Sequence, residues 1–181
     1  MHWDWLDERP LLIALAGANG AGKTTFFHAH LADTGLRFVN ADDLAREMDL
    51  EPYDAARLAE SIRRALMVRS ESFIFETVFS DPVGDKVAFL QEAAGAGYHV
   101  VLVFIRIRDV ETSRQRVSIR VAQGAHDVPD DKLESRFSRT LANLQRAIES
   151  LPLVIIYDNS DMTAPFQHEA IWTHGVKHSL D

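Results

Sequence analysis

The chain contains no cysteine among its 181 residues. Disulfides, thiolate catalysis and zinc–thiolate sites are therefore excluded. Long apolar runs are missing too, since none approaches the roughly 18 residues needed to cross a bilayer as a helix. The opening MHWDWLDERP is acidic and lacks the basic, apolar pattern of a secretory leader, so the cytoplasm is the expected location. Positive charge is in short supply, with 19 Lys and Arg against 27 Asp and Glu and a net charge of −8. A broad nucleic-acid-binding surface is not expected on such a chain. A local basic pocket for a small anion stays open. Repeats, low-complexity tracts and linkers are also absent. The length suits one domain over residues 1–181, large enough to bury roughly 70% of its unfolded surface.

What the chain does have is a dense run of small residues at LIALAGANGAGKTTFF, residues 12 to 27. Gly17, Ala18, Asn19, Gly20, Ala21, Gly22, Lys23 and Thr24, with Thr25 behind them, fit the phosphate-binding pattern G-x-x-x-x-G-K-[ST]. An apolar run precedes it and a helical pattern follows, which is the context the motif requires. Glycines let main-chain N–H groups approach an anion without a Cβ in the way. A helix beginning near Gly22 aims unpaired N–H groups and its positive dipole end at the same spot. Lys23 adds a full charge for the outer phosphates, and the Thr24 hydroxyl is the expected Mg²⁺ ligand. ATP and Mg²⁺ are thus the expected cofactors. A glycine-rich turn that binds nothing would not need Lys and then Thr at that place.

Candidate strands are Leu11–Ala16, Leu36–Asn40, Ser72–Glu76, His99–Ile105 and Leu153–Tyr157. Helical patterns fall at Thr24–Ala32, Asp42–Met48, Tyr53–Ser70, Pro82–Ala94, Val110–Ile119 and Asp130–Ser150. Strands apolar on both faces that alternate with helices predict a parallel sheet covered on each side. The expected fold is α/β, a three-layer P-loop NTPase with a five-stranded, mostly parallel sheet. The FQHEAIW-THG-VKHSL tail alternates around a glycine and reads as a small hairpin or irregular tail.

Ligands of such sheets lie beyond the carboxyl ends of the strands, so the residues just after each strand are the place to look. Asp42 follows the second strand and is the expected general base. Asp43 is its rival, and either could instead cap the helix that follows. Glu76 closes the buried run SFIF and could hold Mg²⁺ through water or bind the acceptor hydroxyl. An unpaired acid there would be costly. Arg116 and Arg120 are four apart on one predicted helix, and an anion between them would relieve their repulsion. With the stretch Gly124–Pro129 as hinge, they suggest a lid over approximately 114–131 that closes on the phosphates. The alternative is a solvated basic face. His126 could contact substrate or be an ordinary loop histidine. Arg57, Arg63 and Arg64 add helical cations, one of which could reach a diphosphate.

Taken in order, GANGAGKTT, FVNADDLA, FIFETVFS, RV…QGAHDVP and YDNS resemble the small zeta-toxin-like P-loop kinases, over roughly residues 11 to 160. The resemblance implies ATP-dependent phosphorylation of a hydroxyl on a small anionic metabolite, a nucleotide sugar such as UDP-N-acetylglucosamine. It assigns phosphate and Mg²⁺ to Lys23 and Thr24, the base to Asp42, substrate contact to Glu76 and the γ-phosphate to Arg120. It also admits an antitoxin protein as partner. The rival class is a P-loop ATPase or nucleotide-dependent switch acting on a protein. Such a protein is expected to end an apolar strand in a metal-binding aspartate, whereas VLVFIRIRD places two arginines before its aspartate.

Overall fold

Strand β1 (Leu11–Ala16) is buried along its whole length and lies in the middle of the sheet. The computed structural model describes residues 3–123 and 128–179. The hinge expected around Gly124 and the residue His126 lie outside the described residues. The other strands are β2 (Arg37–Val39), β3 (Phe73–Thr77), β4 (His99–Arg106), β5 (Leu153–Asp158), β6 (Gln167–Thr173) and β7 (Val176–His178). Their order is β2-β3-β1-β4-β5-β6-β7. The first five run parallel, and β6 and β7 are antiparallel additions. The fold expected from sequence is therefore present, with seven strands where five were expected.

The tail adds the two further strands. It does form a hairpin, turning at His174 and Gly175, whose φ of 48° and 78° suit a two-residue turn between Thr173 and Val176. Its first strand, β6, pairs with β5, so the hairpin continues the main sheet. Packing explains why. Ala170 joins the core on one face of the sheet, and Ile171 packs against the core on the other.

The helices are α1 (Lys23–Phe26), α2 (Ala41–Met48), α3 (Pro52–Val68), α4 (Asp85–Gly95), α5 (Val110–Ala122) and α6 (Asp130–Ser150). On one face of the sheet Phe73, Phe75, Leu102 and Val154 pack against Leu66 of α3, Leu90 of α4 and Ile148 of α6. On the other, Ile13, Leu15, Ile74 and Val103 meet Phe26, Phe27 and Leu31. Three layers result. Helix α1 widens into a π-helical turn at Phe27–Leu31 and then tightens at Ala32–Thr34, so the helix expected at Thr24–Ala32 is irregular in its second half. Helix α4 starts three residues later than expected. Gly84 at φ 86° serves as its N-cap, and the Asp81 carboxylate accepts the Asp85 N–H. Among the described residues no helix is long and apolar enough to cross a membrane.

Candidate active site

The phosphate-binding segment leaves β1 between its two neighbours β3 and β4, at the carboxyl edge of the sheet. Strand order reverses here, since β2 and β3 lie on one side of β1 and β4 and β5 on the other, which is where α/β sheets place ligands. Gly17 has φ 149°, and a Cβ there would stand 2.4 Å from the Ile105 carbonyl oxygen. Gly22, at φ 94°, is the left-handed N-cap of α1. A Cβ on it would meet Asn159 Nδ2 at 2.6 Å. Both positions therefore admit only glycine.

Lys23 is 6% exposed. Its Nζ donates to the carbonyls of Gly17 at 3.0 Å and Ala18 at 3.1 Å, and stands 3.7 Å from Glu76 Oε1. Burial pushes its pKa below the ordinary lysine value. Glu76 and then Asp42 draw it back up, and Arg120 lowers it further. Asp42 and Arg120 thus act electrostatically on Lys23 from α2 and α5, although both side chains are exposed. The structure brings Lys23 and Thr24 into contact with Glu76, with Asp42 and Arg120 near enough to bear on the Lys23 charge. Glu76 Oε2 accepts the Thr24 hydroxyl at 2.8 Å and Asn40 Nδ2 at 3.2 Å. Thr25 lies exposed beside it on α1.

Helix α5 bears on the loop from outside. Ser113 Oγ donates to the Asn19 carbonyl at 2.7 Å. Arg116 donates to the carbonyls of Gly20 at 3.3 Å, Asn159 at 2.7 Å and Ser160 at 3.3 Å. Asn159, just past β5, donates to the Ala21 carbonyl at 2.8 Å. Three successive loop carbonyls are thus held by side chains. A trans peptide points its N–H opposite its C=O, so the N–H groups of Gly20, Ala21 and Gly22 turn away from these partners. The Ala21 N–H closes a turn onto Ala18. Among the described residues those of Gly20 and Gly22 have no partner, so they can meet an anion within the loop. This geometry can serve as a phosphate cradle, with a buried lysine and a hydroxyl–carboxylate pair beside it.

The sequence model of the Zeta toxin family matches residues 5–170. The chain belongs to the zeta-toxin family. Solved structures of similar fold include AvrRxo1-ORF1 bound to AvrRxo1-ORF2 with sulphate ions, at a TM-score of 0.67 and 20% identity over 95% of this chain and 61% of that one. The PezAT chromosomal toxin–antitoxin system of Streptococcus pneumoniae gives 0.61 and 20% identity over 84% and 69%. Shikimate kinase from Acinetobacter baumannii in complex with shikimate gives 0.52 and 20% over 77% and 81%. This chain thus spans about three fifths of the length of the AvrRxo1 chain it resembles. A search of curated protein sequences finds no match.

Several of the other arginines are already paired. Arg114 pairs with Glu111 at 3.1 Å and lies near Asp130 and Glu134 on α6, and Arg106 pairs with Glu169 at 2.8 Å. Arg57 pairs with Asp54, and Arg64 with Glu92. Arg116 and Arg120, expected to act as a matched pair, differ in setting: the first binds loop carbonyls while the second is exposed. The N-cap of α2 is also a correction. Neither Asp42 nor Asp43 caps it, because the Asn40 side chain accepts the Asp42 N–H at 2.9 Å. Asp43 instead pairs with Arg46 at 2.6 Å on the same helix.

Sequence reading did not single out Asn40 as a working residue, although Asn ahead of two aspartates and a helical pattern is a cap signal. Asn40 is buried and joins the α2 cap to Glu76. Asn40→Ala removes both bonds. It is expected to cost about 2 kcal/mol, roughly 1 for the cap and about 1 or more for the carboxylate contact. Urea unfolding measures this, and a loss below about 0.5 kcal/mol would show that the bonds carry no stability.

Proposed function

We propose that the chain transfers the γ-phosphate of ATP to a hydroxyl of a small anionic metabolite, with a nucleotide sugar such as UDP-N-acetylglucosamine as the acceptor. The observation that carries the reading is the clustering of Asp42, Glu76, Lys23 and Arg120 around one phosphate cradle. Phosphoryl transfer needs positioning and neutralised charge more than covalent chemistry. Lys23 and the freed N–H groups of Gly20 and Gly22 bind the phosphates. Asp42 accepts the proton of the acceptor hydroxyl, and Arg120 meets charge that develops on the γ-phosphate. Arg116 and Ser113 keep the loop in shape. The arrangement suits a positioning role for Arg116, away from the transferred group.

Mg²⁺ fits the residues present. The Thr24 hydroxyl and the Glu76 carboxylate are hard oxygen donors 2.8 Å apart. Among the described residues no group of three or more His, Asp and Glu forms a cage. Mg²⁺ is ordinarily held through one or two protein oxygens plus substrate phosphates. Bound there, it would neutralise charge on the β- and γ-phosphates.

The PezAT structure is of a toxin–antitoxin system, so an antitoxin protein partner belongs to the same reading. The test is ³¹P NMR of the protein with ATP, Mg²⁺ and, in turn, UDP-N-acetylglucosamine, nucleosides and sugar acids. A new phosphomonoester signal on the UDP-sugar is expected. Phosphorylation of another panel member in its place would move the acceptor assignment. Hydrolysis of ATP that no acceptor stimulates would favour the ATPase reading.

A further inference from the structure

The core-facing stripe of α3 is Ala55, Ala59, Arg63 and Leu66, and its third position holds an arginine where an apolar side chain is called for. Arg63 is 6% exposed. Its guanidinium stacks on Phe75 at 5.0 Å and Phe89 at 5.9 Å. Ring faces offset part of the desolvation of a cation. They leave the five N–H donors of a guanidinium without an acceptor, and among the described residues no hydrogen bond or ion pair reaches Arg63.

The side chain lines a cavity of about 350 Å³ between α3 and α4. That volume is within the range of small-molecule sites. The cavity shares no residue with the phosphate cradle. Lys86, from the first turn of α4, lines the same space half-buried, and it too has no ion pair among the described residues. The third cation, Arg64, is committed to Glu92 at 2.9 Å. Glu60 and Asp85 complete the charged lining and can accept hydroxyl donors.

We propose that this α3–α4 cavity binds a small phosphorylated, hydroxyl-bearing ligand, with Arg63 and Lys86 gripping the phosphate and Glu60 and Asp85 receiving the hydroxyls. Arginine suits the task because its planar fork meets a phosphate with two parallel hydrogen bonds. The site is independent of the kinase reading, since neither cation belongs to the cradle. It does lie against the catalytic edge: Phe75, under the Arg63 guanidinium, immediately precedes Glu76 on β3 and points to the opposite face of the sheet. Burial pushes the Arg63 pKa below its ordinary value, while Glu60 opposes that and Arg64 adds to it. A bound anion would relieve that strain.

The experiment is hydrogen–deuterium exchange of the whole protein with inorganic phosphate, ribose 5-phosphate and ribose. Residues 60–64 and 85–92 report the cavity, and residues 17–24 report the cradle separately. Expected is slowed exchange in the cavity segments with phosphate and with ribose 5-phosphate, the latter about tenfold tighter, and none with ribose. Arg63→Met should weaken the cavity response at least tenfold and Lys86→Ala about threefold, with the cradle response unchanged in both. If Arg63→Met does not fold, Lys86→Ala decides alone. The proposal is overturned if phosphate leaves the cavity segments unprotected, if ribose alone protects them equally, or if the folded variants respond like the parent.

Discussion

Lys23→Ala should lower ATP turnover by about 10²–10³-fold, the usual cost of removing one preorganised charge from a phosphoryl-transfer site. The fold should survive. Lys23 is buried, and burial disfavours its charged form, so the protein loses a desolvated ammonium along with two hydrogen bonds to the carbonyls of Gly17 and Ala18. Those carbonyls are buried, but the space that the lysine vacates is polar and can admit a water to replace the lost donor. A thermal melt followed by circular dichroism should therefore shift by only a few degrees while a coupled ATP assay collapses. Turnover at the parental rate would remove the cradle from the chemistry. A collapsed melt would make Lys23 a structural residue first.

Asp42→Asn is expected to separate binding from chemistry. Loss of a general base typically costs about 10²–10⁴-fold in rate, while affinity for Mg²⁺-ATP should stay within about tenfold. Asp42 is exposed at the first turn of α2, and its carboxylate acts on Lys23 from across the cleft. Asp43 is the natural control. Its carboxylate pairs with Arg46, an exposed contact of two residues three apart, and such surface pairs contribute about 0–1 kcal/mol. Asp43→Asn should leave both rate and fold nearly unchanged. Single-turnover kinetics beside a nucleotide titration decides the matter, and exchanged phenotypes would transfer the role of base to Asp43.

The parallel strands were legible in the sequence because each is apolar on both faces, and β1 was placed to the residue. Helix α6 was likewise found with both ends correct, since its apolar positions recur over 21 residues. The irregular half of α1 was not legible. FHAHL carries no proline or glycine to announce a π-turn, and Phe27 and Leu31 within it are packed into the core. The cradle residues could be read from spacing alone. Their supports could not, because Ser113, Arg116 and Asn159 reach the loop from elements far along the chain. Arg116 on a predicted basic helix looks like a phosphate ligand until the carbonyls it binds are known. The place of the tail in the sheet was hidden for a related reason. Its alternation shows a hairpin, but which strand edge receives it is a tertiary choice.

The bond from Asn159 to the Ala21 carbonyl joins residues 138 positions apart. Synthesis proceeds from the amino end at roughly 5–20 residues per second, so the glycine loop leaves the ribosome seconds before the side chain that orients its last carbonyl exists. Ser113 and Arg116 arrive in between and can hold the Asn19 and Gly20 carbonyls once β4 has joined β1. A nascent chain halted after α5 would thus own every residue of the nucleotide motif and still lack part of its shape. The last of the three held carbonyls gains its partner late in the making of this protein, when β5 closes the parallel sheet and brings Asn159 to the loop.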